Sequence, residues 1–213
     1  MKLDPNEIYH LYNRGNNRQA IFFEEDNYRY FLEKVRVYLL PYCEFLAYSL
    51  MPNHFHFLIQ ADDRTVIPYR KGSKIYDDQK RNPVELTLFA WGLQRMLSSY
   101  ARSINKRFNR TGSLFQQNTK SKKTSSDVFS EDYALKCFSY IHNNAVAAGL
   151  VSDPKDYIYS SYNDYLNNDK GSICNIELGR KLLCLDQNEM FLTTCDERLN
   201  QIPYRFSTGL VSV

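Results

Sequence analysis

Two short runs hold the side chains best suited to chemistry, His54-Phe55-His56-Phe57-Leu58-Ile59 and Tyr140-Ile141-His142-Asn143-Asn144. In a strand, alternate side chains point to opposite faces, so Phe55, Phe57 and Ile59 share one face and His54 and His56 the other. The aromatic face suits burial beneath helices. Both imidazoles are then left a few ångströms apart on the open face, able to grip one metal ion. Two surface histidines on a half-exposed strand are the plainer alternative, yet the chain has four histidines and two of them fall in this triplet. In the second run, Tyr140 and Asn144 stand four apart and in a helix occupy one face, a turn apart. Tyr140 is one of 17 tyrosines, and helical spacing alone does not separate a nucleophile from an ordinary late-helix pair.

The elements that must position these groups follow from periodicity and turn chemistry. Ile8 to Arg14 reads as a first strand, closed by the turn residues Gly15-Asn16-Asn17. Tyr28, Phe31, Leu32, Val35 and Leu39 recur at helical spacing, with Asp26 as the expected cap. Residues 43–51 and 54–60 predict two strands joined so briefly, through Pro52-Asn53, that they should form an antiparallel hairpin. Residues 62–83 are polar, carry both charge signs and lack periodicity, as an insertion or long loop would. A long amphipathic helix from Leu86 to Phe108 follows, then a fourth strand over 114–120 and a Lys/Ser/Thr loop to 126. Ser130 caps a last long helix that runs to about Ala148, with Gly149 as its stop. The order β-α-β-β-α-β is that of an α+β, ferredoxin-like (RRM-like) antiparallel sheet with both helices on one face and the other face free for a ligand. The expected division is a main domain over 1–168, with the insertion inside it, and a small helical C-terminal appendage over 169–213.

The formal net charge of +3 does not by itself point to a nucleic acid, but its distribution does more. From Arg95 to Lys123 there are eight lysines or arginines and no acidic residue. A solvated helix face usually carries both signs, so this stretch reads as a phosphate-facing surface. The five cysteines are scattered without C-x-x-C spacing, as reduced thiols of a cytoplasmic protein would be. No signal peptide is expected from the polar start of the chain, and no apolar run is long enough to span a bilayer.

Further runs carry a resemblance. Tyr9-His10-Leu11, then Arg14-Gly15-Asn16-Asn17-Arg18-Gln19, Met51-Pro52-Asn53-His54-Phe55-His56 and Gly112-Ser113-Leu114-Phe115-Gln116 occur in that order. Tyr140 to Val151 and Asp156-Tyr157-Ile158-Tyr159-Ser160-Ser161-Tyr162 complete the series. Together they resemble the single-tyrosine HUH transposases, and within them the REP-associated tyrosine transposases, over most of residues 7–166. The resemblance implies a metal-dependent endonuclease and strand transferase acting on single-stranded or hairpin DNA. His54 and His56 become metal ligands, Asn144 the third, and Tyr140 the nucleophile that forms a 5′-phosphotyrosine link. Two departures stand out: Asn144-Ala145-Val146 replaces the usual Asn-Pro-Val, and residues 62–83 are longer than is usual.

A neutral ligand set of two imidazoles and an amide suits Mg²⁺ or Mn²⁺, with Mn²⁺ the more tolerant of nitrogen. Arg14, Lys120 and Lys122 are candidate phosphate contacts from topology. His10 belongs with the open face in either a structural, a DNA-contacting or a metal role. The protein is expected to act as a monomer or homodimer, away from membranes. Two other classes compete: a non-catalytic module that binds DNA or RNA hairpins with the same sheet, and a zinc hydrolase built on His54 and His56. The second of these lacks a third strong ligand or a general base nearby.

Overall fold

The computed structural model describes residues 1–69, 86–124 and 130–185, with the backbone alone at 130–132. One antiparallel sheet holds β1 (Ile8–Arg14), β2 (Glu44–Met51), β3 (His54–Gln60) and β4 (Lys120–Lys123) in the order β2-β3-β1-β4. With α1 (Glu25–Tyr38) between β1 and β2, and α2 (Leu88–Arg107) between β3 and β4, this is the ferredoxin-like arrangement.

The helix-side face is aromatic for the reason the β3 alternation gives. Phe55 and Phe57 turn toward α1, with Phe31 at 5.3 and 6.2 Å between ring centres, and Tyr100 of α2 packs edge-on to Phe31 at 4.9 Å. The buried Tyr100 hydroxyl donates to Ile21 O at 2.7 Å, which removes the cost of burying it. α1 and α2 meet at Gly92, where an added Cβ would lie 2.2 Å from Tyr38 O. A Gly92→Ala protein is therefore expected to lose about 1–3 kcal/mol through forced separation of the helices. Urea unfolding would show the loss as a lower midpoint with an unchanged slope.

Three expectations are corrected. The fourth strand is Lys120–Lys123 rather than 114–120, and it falls where a Lys/Ser/Thr loop was expected. Leu114 and Phe115 are buried as part of a connecting segment, with Gln116 N donating to Arg14 O at 2.9 Å. β4 is an edge strand that pairs through its backbone, with Lys120 and Lys122 exposed and Lys123 ion-paired with Glu7, a composition that apolar patterning does not flag. Next, Asp26 is not the cap of α1. The helix starts after Glu24, and Asn27 reaches back so that its Oδ1 accepts from Phe23 N at 3.0 Å.

The third correction concerns the second face of the sheet. It is not left free: α3 (Ser130–Ala147) lies across β2 and β3. Phe138, Ile141 and Ala145 on its inner side are buried. Its end is fixed by a Schellman arrangement: Gly149 has φ +68°, Leu150 N donates to Ala145 O at 3.0 Å, and Gly149 N to Val146 O at 2.9 Å. The Ser130 cap falls outside the described side chains. Two short helices, α4 (Tyr162–Asn167) and α5 (Ile176–Leu182), follow, with bridges Ser49–Ser160 and Phe45–Cys174 beside β2. The expected helix around 189–199 lies outside the described residues, as does most of the 62–83 segment. No described helix is long and apolar enough to cross a membrane.

Candidate functional site

Strand register decides which side chains share the α3 side of the sheet. His54 lies opposite Arg14 on β1, and His56 opposite Tyr12, while His10 pairs with Leu58 two positions further along. On β4, Lys120 is opposite Tyr12 and Lys122 opposite His10. Period-two alternation therefore places His54, His56, His10, Tyr12, Arg14, Lys120 and Lys122 on one face. All three cations named from topology are on the face that carries the histidine pair.

α3 brings the remaining residues to this face. Asn144 Oδ1 stands 3.2 Å from His54 Nε2. The Tyr140 ring meets His56 edge-on at 5.3 Å and His10 at 6.2 Å. One turn apart on the helix, the Asn144 amide also acts on the Tyr140 phenol. Burial pushes the Tyr140 pKa up, and the hydrogen bond with Asn144 works against that rise. His142, two residues on, faces elsewhere. It is buried against Phe138 and Tyr165, its Nε2 lies 2.7 Å from Ser161 Oγ, and burial pushes it down to about 3. It holds the 157–165 segment to α3.

Each histidine of the pair has its Nδ1 committed to a fixed neighbour. His54 Nδ1 is 2.5 Å from Asn53 Oδ1, and the Asn53 amide nitrogen is turned to Arg18 O at 3.4 Å. His56 Nδ1 is 2.9 Å from His10 Nε2. Burial lowers His54 to about 4 and His10 to about 3, and it holds His56 well below the ordinary histidine value. The imidazoles are thus neutral near pH 7, and each has one N–H. If each donates from Nδ1, both Nε2 atoms present lone pairs.

That donor set fits a divalent cation. His56 Nε2 is buried and has no hydrogen-bond partner, a costly state unless something binds it. His54 Nε2 faces the amide oxygen of Asn144, so two acceptors confront each other in that tautomer. A cation between them, or a turn of the amide, resolves the conflict. Among the described residues no cluster of three or more His, Cys, Asp or Glu is placed to hold a metal, so this set depends on the Asn144 amide as its third member. Sequence reasoning left His10 open and missed Tyr12 and Asn53. Strand parity across the β1–β3 pair is the signal that finds the first two, and Asn53 is adjacent to the histidine it orients.

No protein family profile and no curated protein matches the sequence. Among solved structures, the chain is similar to a REP-associated tyrosine transposase bound to a REP hairpin. That similarity covers 81% of this chain and 87% of that one, with a TM-score of 0.52 and 12% sequence identity. Identity so low speaks to architecture alone: the chain has the fold of a REP-associated tyrosine transposase.

Proposed function

We propose that this protein nicks and rejoins single-stranded DNA at hairpin-bearing sites, with Tyr140 as nucleophile. The observation that carries the reading is the convergence of Tyr140 and Asn144 from α3 on His54 and His56 of β3, within one buried-to-open corner of the sheet. A neighbour of the same fold holds a hairpin, which supports the choice of substrate class.

His54, His56 and Asn144 would hold a divalent cation, which when bound polarises the scissile phosphate and stabilises the charge that develops there. Asn53 Oδ1 accepts from His54 Nδ1 and leaves His54 Nε2 as the nitrogen on offer, and donation from His56 Nδ1 to His10 Nε2 would do the same for His56. Arg14, Lys120 and Lys122 line the same face and would hold flanking phosphates. The Tyr140 phenol attacks phosphorus. Its Oη–P bond forms as the bond from phosphorus to the 3′-oxygen breaks, and the phenolic proton ends on that departing oxygen. The products are a 5′-phosphotyrosine and a free 3′-hydroxyl. Rejoining is the reverse step with the same or another 3′-hydroxyl, and it needs no nucleotide cofactor because the ester bond is retained throughout.

Denaturing electrophoresis after incubation with hairpin-bearing oligonucleotides and Mn²⁺ tests the reading through a covalent protein–DNA band. Binding without any such band would instead favour a hairpin-binding module on the same fold. A second expectation concerns the metal alone. Two nitrogens in the ligand set favour Mn²⁺, whereas Mg²⁺ prefers oxygen and gives up its waters reluctantly. Calorimetry on the DNA-free protein should show Mn²⁺ binding tighter than Mg²⁺ by about tenfold or more. Equal or tighter Mg²⁺ binding would refute the proposed ligand set.

A further inference from the structure

On the side of the sheet that carries α1 and α2, α2 and the 112–119 segment border an open cavity of about 380 Å³. That volume falls within the range of small-ligand sites, roughly 300–1,000 Å³. Its floor is apolar, from Leu93, Leu97 and Phe115, and its rim is neutral and polar, from Gln94, Ser98, Gln116 and Asn118. The rim side chains make no hydrogen bonds among the described residues. Asn13 forms a fixed wall, donating to Gln116 O at 3.2 Å and to Thr119 Oγ1 at 3.0 Å. A slot with an apolar floor and uncommitted amides suits a flat, neutral group edged with donors and acceptors.

Beside the slot runs a line of cations. Arg95, Arg102 and Lys106 are exposed and, at i, i+7 and i+11, form one stripe along α2. None of the three has an acidic partner among the described residues, whereas the adjacent Arg107 pairs with Glu24. Ser98 on the rim stands three residues after Arg95 and four before Arg102, so the stripe borders the slot. At its upper end Arg95 lies over Trp91 at 5.7 Å, and Trp91 stacks on Tyr69 at 5.0 Å. Unpaired cations spaced along an edge suit phosphates, and neutral amides over an apolar floor suit a base.

We infer that this slot is a second nucleic-acid site, in which one unpaired base inserts while its flanking phosphates lie on Arg95, Arg102 and Lys106. It rests on the reading of the protein as a DNA binder but not on the nicking reaction. The slot and the Tyr140 cluster lie on opposite faces of the sheet, joined through adjacent residues of β1. Asn13 borders the slot, and Arg14 lies opposite His54.

The test uses the full chain and two sets of fluorescent 12-mers: single-stranded DNA homopolymers, and an abasic deoxyribose-phosphate chain of equal charge. At least one base-bearing 12-mer should bind about tenfold or more tighter than the abasic chain, as base insertion requires. Ser98→Trp, which fills the slot from its exposed rim, should erase that advantage and leave abasic binding unchanged. Arg102→Gln should weaken both sets by a similar factor. Gln94→Ala, which removes one amide without adding volume, should narrow the advantage and serves as the check should Ser98→Trp fail to fold. An advantage that persists undiminished in both slot variants overturns the inference, as does its absence in the parent protein. A covalent Tyr140 adduct without any base advantage would sink the slot and leave the nicking reaction standing. The reverse pattern would do the opposite.

Discussion

A Tyr140→Phe protein should form no covalent DNA adduct and release no new 3′-hydroxyl, while still binding hairpin oligonucleotides to within about threefold of the parent. The substitution removes one oxygen and keeps the ring. The edge-on contacts to His56 at 5.3 Å and to His10 at 6.2 Å involve the ring and persist. Tyr140 is half-buried, so losing the hydroxyl and its hydrogen bond with Asn144 should change stability by about 1 kcal/mol or less. Chemistry, not folding, is what the variant removes.

A control residue is built into the site. Tyr12 lies on the same face, its ring 5.9 Å from that of His56 and 4.9 Å from that of His10. Its ring contacts to both histidines make it a phenol that could contend for the phosphate. Tyr12→Phe should retain the adduct, and peptide mapping of the trapped product should place the phosphate on residue 140. An adduct that survives in Tyr140→Phe and disappears in Tyr12→Phe would move the nucleophile to β1. The Asn144→Ala variant should fall between these limits. It removes the third member of the ligand set together with the hydrogen bond that counters the burial of Tyr140, so adduct formation should drop by about 100-fold or more.

The parts of this arrangement that were legible in the sequence are those set by local rules. β1 and β3 begin and end where alternation and the Gly15 and Pro52-Asn53 turns place them, because a half-buried strand shows its period directly. The fate of the histidine face was not local. Burial of His10 and His56 follows from α3 crossing β2 and β3, a packing choice made by Phe138, Ile141 and Ala145 together with a surface that only the finished sheet provides. β4 escaped notice because an edge strand of lysines draws its stability from the backbone ladder to β1 rather than from apolar side chains. Asn144 is the sharpest case. Spacing put it beside Tyr140, the resemblance made it a ligand, and neither could give its approach to His54, which depends on where the tail segment through Ser161 holds His142 and with it the helix.

Three of the four histidines, His10, His56 and His142, are buried and His54 is half-buried, which predicts an unusually steep loss of stability in mild acid. His10 and His142 are pushed down to about 3, His54 to about 4, and His56 well below its ordinary value, in each case chiefly by desolvation. In the unfolded chain each would titrate near 6.5. Between those values the unfolded state binds protons that the folded state refuses, so acid pulls the equilibrium toward unfolding. The stabilising contribution is complete above about pH 6.5 and is lost as pH falls toward the folded values. Each group costs about 1.4 kcal/mol per pH unit in that window. For the three groups with folded values of about 3–4, a fall to pH 5 costs on the order of 5–6 kcal/mol, with His56 acting in the same direction, against a whole-domain stability of about 5–15 kcal/mol. Urea midpoints measured in EDTA should therefore drop steeply from pH 7 to pH 5. Adding Mn²⁺ should delay the drop, because a cation held by His54 and His56 competes with the same protons. His142→Gln, measured in EDTA, tests the acid effect by itself: it removes one titrating group, so it should flatten the slope between pH 7 and pH 5 by about one group's share. A stability that stays level between pH 7 and pH 5 without metal would mean that the imidazoles take up protons in place, and the neutral ligand set would go with it.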